Sequence, residues 1–556
     1  MDNETFEKTH KLPSKTAYDF LLERNANHMH NNAISFENKI ITYEELHTRI
    51  DEYARALYHN GVEAGVRVAV CLLNTPESIY ILYALNKLGA TVVGLSPLNN
   101  EYKMKRDIEM TNPSILICVD ALYPTLKKVC QSMEIETFLY SAVESVNNIF
   151  IKISYNVKQF FSHNAINPDN YLIKIVNKKN GSDYKSGLFD NDAVTDIMFT
   201  GGSTGTHKSV LLNDNGLNSV VFALDNVFGL EPGMKHLGNI PFGHMAFGRL
   251  VLHYAMCNSL EFALTLNMLP NKFLDELIRT QADGAMGGPV HWNTLINNPK
   301  IKKGALSNLK QAISGGEMYV PDQRVAAEKE LKKAGCKVGI GDGLGLTETW
   351  APINICVSGK ATSGTVGKPI PFVKEKVVDP ETFAEVPNNE PGLLLVNSPG
   401  LMLRYSDEAE TNKVISYDKY GRKWYNTGDL VIKLDSGEIK FAGRKKRNFV
   451  SGVDNIYPEQ IETLVSKLPE IRQIVVTKVP DSQKQNLPKY HIVLFDTNVD
   501  KEIVEEKIKT LIKNTLGASA LPGYIEYHEN ELPRTDNGKL NATLLGEEDM
   551  KKHKRG

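Results

Sequence analysis

Ten consecutive residues near the middle of this chain gather the donors that an oxyanion wants. Thr200-Gly201-Gly202-Ser203-Thr204-Gly205-Thr206-His207-Lys208-Ser209 holds three glycines, five hydroxyls and one lysine. Glycines let the backbone turn sharply and bring N–H groups close to an anion. The hydroxyls and the ammonium add donors that suit phosphate oxygens. A Walker-type loop needs a glycine directly before the lysine and a helix N-terminus at the phosphate. His207 stands in that glycine position, and Val210-Leu211-Leu212 reads as a strand, with a helix beginning only around Asn213 to Gly216. The order strand–loop–strand sets the P-loop reading aside. Three more residues carry chemistry if they meet this loop. Glu348 follows a Gly-rich turn, Asp429 follows a Thr-Gly turn where a carboxylate can accept from both ribose hydroxyls, and Lys539 ends the turn Asp536-Asn537-Gly538. Taken singly they read as a helix-start acid, an ordinary turn residue and an exposed lysine.

The elements that would position them alternate along the chain. Thr42 to Leu57 has helical spacing with Thr42 as the cap, Val68 to Leu72 reads as a buried strand, Glu77 to Lys87 as a helix, and Ala90 to Leu95 and Ile115 to Val119 as strands. This alternation predicts an α/β fold with layers around largely parallel sheets. From Lys368 to Ile432 short strands and turns indicate a β-rich subdomain. Beyond Arg444-Lys445-Lys446-Arg447, read as a solvated linker face, Glu459 to Leu468, Ile474 to Val479, His491 to Phe495 and Glu502 to Leu516 form a compact α+β unit. The expected domains are therefore 1–443 and 444–556. Cys130 to Asp192 reads as a peripheral insertion, and the end KKHKRG as a tail without regular structure.

Composition narrows the function classes. The 556 residues imply roughly two to four domains or lobes. Hydrophobic residues are 42% and charged residues 23%, as in an ordinary globular protein. Lys plus Arg number 64 against 66 Asp plus Glu, a net charge of -2 that gives no reason to expect nucleic acid as partner. No run reaches the ~18 apolar residues of a membrane span, and Met1 to His10 lacks a secretory pattern, so no stable membrane insertion is expected. Six widely spaced cysteines, with no CxxC or Cys/His cluster, read as free thiols of a cytoplasmic protein.

Seven motifs in order give these residues a common context. Phe199 to Ser209 is FTGGSTGTHKS. Pro241-Phe242-Gly243-His244, Ser314-Gly315-Gly316-Glu317 and Gly343-Leu344-Gly345-Leu346-Thr347-Glu348-Thr349 follow. Then come Tyr425-Asn426-Thr427-Gly428-Asp429-Leu430, Gly443-Arg444 to Glu462, and Pro533-Arg534-Thr535-Asp536-Asn537-Gly538-Lys539. The set resembles the adenylate-forming enzymes, which include acyl-CoA synthetases, firefly luciferase and peptide-synthetase adenylation domains. The resemblance implies two steps: a carboxylate attacks the α-phosphate of ATP to give an acyl-adenylate, and a thiol then displaces AMP. It implies Thr200, Gly201, Gly202, Ser203, Thr204, Gly205 and Lys208 around the phosphates of ATP. Thr347 and Glu348 would face the α-phosphate, with Glu348 on Mg²⁺. Gly315, Gly316, Glu317, Asp342 and Leu344 would border adenine, and Asp429 and Arg444 the ribose. It implies catalytic Lys539, hinge Lys446, a thiol path near Gly452, and His244 as a gate beside the acid. It also makes the C-terminal domain mobile.

The chain departs from the family pattern at several places. Leu344 stands for an aromatic, Gly201 for a serine, His207 and Ser209 for proline and glycine, and Arg447 for an aspartate. No acid lies between Pro241 and Arg249, so an α-amino acid's ammonium would be unpaired. Phe242, Met245, Phe247, Met286 and Val290 point instead to an apolar or aromatic acyl pocket. Only seventeen residues follow Lys539, so the thiol is expected from outside the chain. CoA is the first reading and a separate carrier protein the second. A non-catalytic nucleotide-binding regulator is the alternative from another class.

Overall fold

The computed structural model describes residues 3–161, 170–178, 183–201, 207–317, 319, 321–357, 364–444, 447–451, 454–481, 485–535 and 539–553. Two large sheets form the body. One has seven strands in the spatial order Arg404–Tyr405, His207–Leu212, Asp196–Gly201, Thr91–Gly94, Arg67–Cys71, Ile115–Val119 and Glu136–Tyr140. Its strands are parallel from Asp196–Gly201 to the Glu136–Tyr140 edge. The other has nine strands and is parallel from Gly341–Leu346 through to Asn32–Phe36. Continuous apolar runs explain the parallel strands: every residue of Ile115–Val119 is buried, as a strand covered on both faces requires.

The first connecting helix starts at the cap that the sequence signals, and the second one residue before the expected Glu77. The Thr42 hydroxyl accepts from Glu45 N at 3.2 Å and caps Tyr43–Tyr58. Thr75 caps Pro76–Lys87, whose first position is the proline that a helix start favours. Both helices bury tyrosines, Tyr43, Tyr53 and Tyr80, in one continuous core with the strands. All six cysteines are buried and free.

An antiparallel sheet of Lys374–Val378, Pro391–Asn397, Lys423–Lys433, Ile415–Tyr417 and Ile439–Arg444 makes the β-rich part. The last portion of the chain has its own core, including Ile461, Val465, Val476, Tyr490, Ile492 and Ile508. There Ile471–Asp481 and Gln485–Leu494 are antiparallel, Tyr524–Tyr527 adds a parallel strand, and Pro458–Val465, Lys501–Thr515 and Ala542–His553 are helical.

Three sequence expectations are corrected. The stretch from Cys130 to Asp192 is not wholly peripheral, because Glu136–Tyr140 is a sheet strand that buries Phe138, Leu139 and Tyr140. Its polar neighbours concealed a five-residue strand with an apolar end. The tail is helical as far as His553, because Leu545 and Asp549 dock on the terminal sheet. The described ends of the basic run, Arg444 and Arg447, are not solvated cations. Arg444 lies beside buried Asp429, and Arg447 contacts Glu459 at 3.1 Å and Glu462 at 2.5 Å while donating to Val476 O at 3.1 Å. Truncating Arg447 leaves buried Glu459 and half-buried Glu462 without their cation, Glu462 keeping only the Val476 amide at 2.7 Å, and breaking such a pair costs about 3 kcal/mol in comparable cases. Arg447→Ala is therefore expected to lower the urea midpoint of the C-terminal unit, and an unchanged midpoint would show the cluster to be energetically idle.

Candidate active site

The phosphate-type loop is the tip of a hairpin. Asp196–Gly201 and His207–Leu212 pair with Thr200 opposite Lys208 and Gly201 opposite His207. The strand–loop–strand reading is thus correct, and the following helix, Asp214–Asp225, starts at its own cap, Asn213. Gly202, Ser203, Thr204 and Gly205, with Lys446 and Gly452, lie outside the described residues. Lys208 is described: its Nζ is 2.5 Å from Glu410 Oε2 and 4.6 Å from the centre of the Tyr405 ring. The ion pairs with Lys208 and Lys413 hold the Glu410 carboxyl down to about 2.

Tyr405 connects this lysine to the second acid. Arg404–Tyr405 is the edge strand beside His207–Leu212, and the Tyr405 hydroxyl donates to Glu348 Oε1 at 2.7 Å. Glu348, buried, sits in the tight turn Thr347–Thr349 directly after Gly341–Leu346. The turn is followed by two non-glycine residues in the left-handed region, Trp350 at φ 52° and Ala351 at φ 72°. Such conformations cost of order 1–3 kcal/mol each and persist only where the surroundings hold them. Here the fully buried Trp350 indole donates to Asn213 O at 3.0 Å. Met402 N donates to Glu348 O at 2.7 Å, which ties the turn to the segment entering the edge strand that carries Tyr405.

A third acid lies across the cleft. Asp429 is fully buried in Lys423–Lys433, opposite Arg444 in the register. Arg444 Nε approaches Asp429 Oδ1 to 2.6 Å, yet neither carboxylate oxygen receives an aligned hydrogen bond. Burial pushes the Asp429 carboxyl up to about 6, with Arg444 and Lys539 opposing and Glu348 adding to the rise. A buried carboxylate with both oxygens open to a donor fits a diol such as a ribose edge.

Lys539 reaches this acid from the C-terminal unit. Thr535 N donates to Lys539 O at 2.7 Å, which closes the turn that carries it. Partial burial lowers its pKa, Glu317 and Asp429 oppose that fall, and Arg444 adds to it. Glu317 is the reciprocal case: burial raises its pKa, while Lys539 and Arg534 lower it. Glu317 and Lys539 both keep access to solvent.

The adenine-side and acid-side residues divide by burial. Gly315 ends Gln311–Gly315, and Gly316 turns at φ 86°. Asp342 is buried in the next strand, its Oδ1 accepts from Gly343 N at 2.9 Å, and burial pushes its carboxyl up to about 7. Leu344 is half-buried there. His244 has a buried Nδ1 without a partner, and burial pushes its imidazole down to about 4, so the ring is neutral at pH 7. Phe242 and Met286 are core residues, Met245 and Phe247 are half-buried against that core, and Val290 is exposed. A Cβ on Gly315 would lie 3.9 Å from the Phe247 ring, so Phe247 borders the glycine turn.

Sequence reasoning missed Tyr405 and Glu410. Nothing in the spacing around Arg404-Tyr405-Ser406-Asp407 marks them, because their importance comes from a sheet edge that pairs Tyr405 with the distant Val210.

The fold and this cleft define an adenylate-forming enzyme. The family model of the AMP-binding enzymes matches residues 21–406, and that of the AMP-binding enzyme C-terminal domain matches residues 460–539. The chain belongs to this family. It is 26% identical to a long-chain-fatty-acid–CoA ligase of Bacillus subtilis, over 98% of this chain and 96% of that one. It is 27% identical to luciferin 4-monooxygenase of Photinus pyralis, over 93% and 90%. Its fold matches the ATP-bound MatB of Rhodopseudomonas palustris with a TM-score of 0.82 at 20% identity, covering 97% of this chain and 99% of that one.

Proposed function

We propose that the protein joins an apolar or aromatic carboxylic acid to CoA through an acyl-adenylate, consuming ATP. The observation that carries this reading is the convergence on one cleft of Asp429, Arg444, Glu317 and, from the C-terminal unit, Lys539. In the first step a carboxylate oxygen attacks the α-phosphorus and pyrophosphate leaves. Lys539 offsets the two anions that must approach each other, and Lys208 with the loop after Gly201 holds the leaving phosphates. Asp429 and Arg444 hold the ribose, and Gly315, Gly316, Asp342 and Leu344 border the adenine. Thr347 and Glu348 face the α-phosphate. One carboxylate beside phosphate oxygens suits Mg²⁺, which when bound supplies charge neutralisation, and Glu348 with one oxygen held by Tyr405 is the residue to hold it.

In the second step the thiol attacks the acyl carbonyl and AMP leaves. The reading divides the chain into a body, 1–443, and a mobile unit, 444–556, that turns about Lys446 and brings the Gly452 region to the thiol. Neutral His244, with a free ring nitrogen, bounds the acid beside Met245 and Phe247. The soluble substrates and buried free thiols suit the cytoplasm.

A panel of carboxylic acids in ATP–pyrophosphate exchange, followed by mass detection of CoA thioesters, tests the reading. Apolar or aromatic acids are expected to support both, and α-amino acids neither. Exchange with amino acids alone, or an adenylate that reacts with a carrier protein and never with CoA, would overturn it. Absence of exchange with every acid would favour a nucleotide-binding regulator.

A further inference from the structure

Two histidines that the sequence keeps 37 positions apart meet on one face of the terminal sheet. His491 lies in Gln485–Leu494 and pairs in register with Glu526 of the parallel edge strand Tyr524–Tyr527. His528 follows that strand directly, and its backbone N donates to Ile492 O at 2.8 Å. Side chains alternate across a strand, so Glu526 and His528 fall on the same side. His491 Nδ1 therefore lies 3.0 Å from His528 Nε2 and 3.8 Å from Glu526 Oε2. The three atoms all fall within 4.8 Å of one another. None of these side chains is among those that converge on the cleft.

The inner end of the cluster fixes a tautomer. His491 is buried, and its Nε2 is 2.8 Å from Oδ2 of buried Asp549, on the helix Ala542–His553. Asp549 also accepts from the Thr477 hydroxyl at 2.6 Å and from Lys489 Nζ at 2.6 Å, as an ionised carboxylate does. His491 accordingly carries its proton on Nε2 and turns the Nδ1 lone pair towards His528 and Glu526.

We propose that His491, His528 and Glu526 bind a divalent transition metal of the zinc class. Imidazole nitrogens suit such ions, whereas magnesium and calcium want oxygen. A ligating histidine whose other ring N–H is held by a carboxylate is the usual support of such a site. Two nitrogens on a tetrahedral zinc, at bonds of about 2.0–2.1 Å, lie about 3.3 Å apart, between the two separations found here, so small movements suffice. Without the ion, His528 Nε2 donates to His491 Nδ1; with it, that proton moves to His528 Nδ1 and both lone pairs face the metal. Two lysines compete for the carboxylate: Lys489 Nζ is 2.5 Å from Glu526 Oε2, and exposed Lys552 is 3.3 Å from Oε1. Lys489 keeps its partner Asp549 when it yields Glu526, and Lys552 can turn to solvent. Glu526 and His528 are half-buried, which gives the ion an entry path and leaves a fourth position to water. The ion would clamp the edge strand, bonded on one side only, to its neighbour.

Zinc binding by the full chain, first stripped with a chelator, tests the proposal. Equilibrium dialysis against zinc in millimolar magnesium should give one tight ion per chain. His528→Ala removes a ligand and should weaken that binding at least about a hundredfold, the upper end of the loss seen for a merely supporting residue. Glu526→Gln keeps an oxygen but loses the charge, and should weaken it on the order of tenfold. His30→Ala, at an exposed histidine elsewhere, should bind as the parent does. Zinc should raise the parent's thermal midpoint, because it binds the folded state, and leave that of His528→Ala unmoved. Cooperative melting of both proteins in chelator separates a lost ligand from a lost fold. No tight zinc in the presence of magnesium, equal affinity in parent and His528→Ala, or a bound ion that Glu348→Gln abolishes would overturn the proposal, the last by placing the ion in the cleft.

Discussion

Lys539→Ala is expected to lower adenylate formation on the order of 10²- to 10³-fold, the scale of losing one preorganised charge at a developing anion. Of the charges felt at Asp429, the lysine's is the one brought from the far end of the chain. It faces Glu317, Asp429 and Arg444 together, so its removal leaves the cleft otherwise in place. On the proposed mobile unit, 444–556, it should act in one docking and be withdrawn in the other. The same variant given synthetic acyl-adenylate and CoA should therefore make thioester at close to the normal rate. The pH dependence has a definite sign. Partial burial lowers the lysine's pKa, so its charge is complete at low pH and lost as pH rises through that lowered value. Adenylation should fall on the alkaline side earlier than an ordinary lysine would allow, and Lys539→Ala should lack that limb. Normal pyrophosphate exchange by the variant would remove Lys539 from the mechanism.

The sequence was most informative where chemistry and local structure coincide. Thr42 caps its helix because a hydroxyl before an apolar-periodic run has an amide to accept from, whereas the cap Thr75, just ahead of the helix read from Glu77, went unread. The hairpin around the loop was legible because Val210-Leu211-Leu212 has no helical period, and the parallel sheets because strands such as Ile115–Val119 are apolar throughout. Asp429 and Lys539 were legible only as members of ordered motifs, since each alone is an ordinary turn or surface residue. What escaped is what tertiary contact creates. Arg447 reads as one of four solvated cations, yet Glu459 and Glu462 on the next helix enclose it. Glu136–Tyr140 was hidden by polar neighbours on either side. Tyr405 has no signal of its own because its role depends on pairing Val210 across a sheet edge.

Glu348→Gln is expected to lower adenylation at least about a hundredfold, by withdrawing the carboxylate that a magnesium ion beside phosphate would use. The substitution is nearly isosteric. A glutamine oxygen can still accept from the Tyr405 hydroxyl, which lies 2.7 Å from Glu348 Oε1, so the turn Thr347–Thr349 and the strained Trp350 and Ala351 beyond it should stay in place. The thermal midpoint should therefore be close to the parent's. Tyr405→Phe makes the opposite change, keeping the carboxylate and removing the donor that orients it. Its loss should be about tenfold or less, the scale of one hydrogen bond. The two variants separate charge from orientation. Raising the magnesium concentration should leave Glu348→Gln impaired, because the ligand is gone, and should recover part of the activity of Tyr405→Phe, because the ligand is only misdirected. Exchange near the parent rate in a folded Glu348→Gln enzyme would sink the proposed role, and equal losses in the two variants would assign the effect to the geometry of the turn.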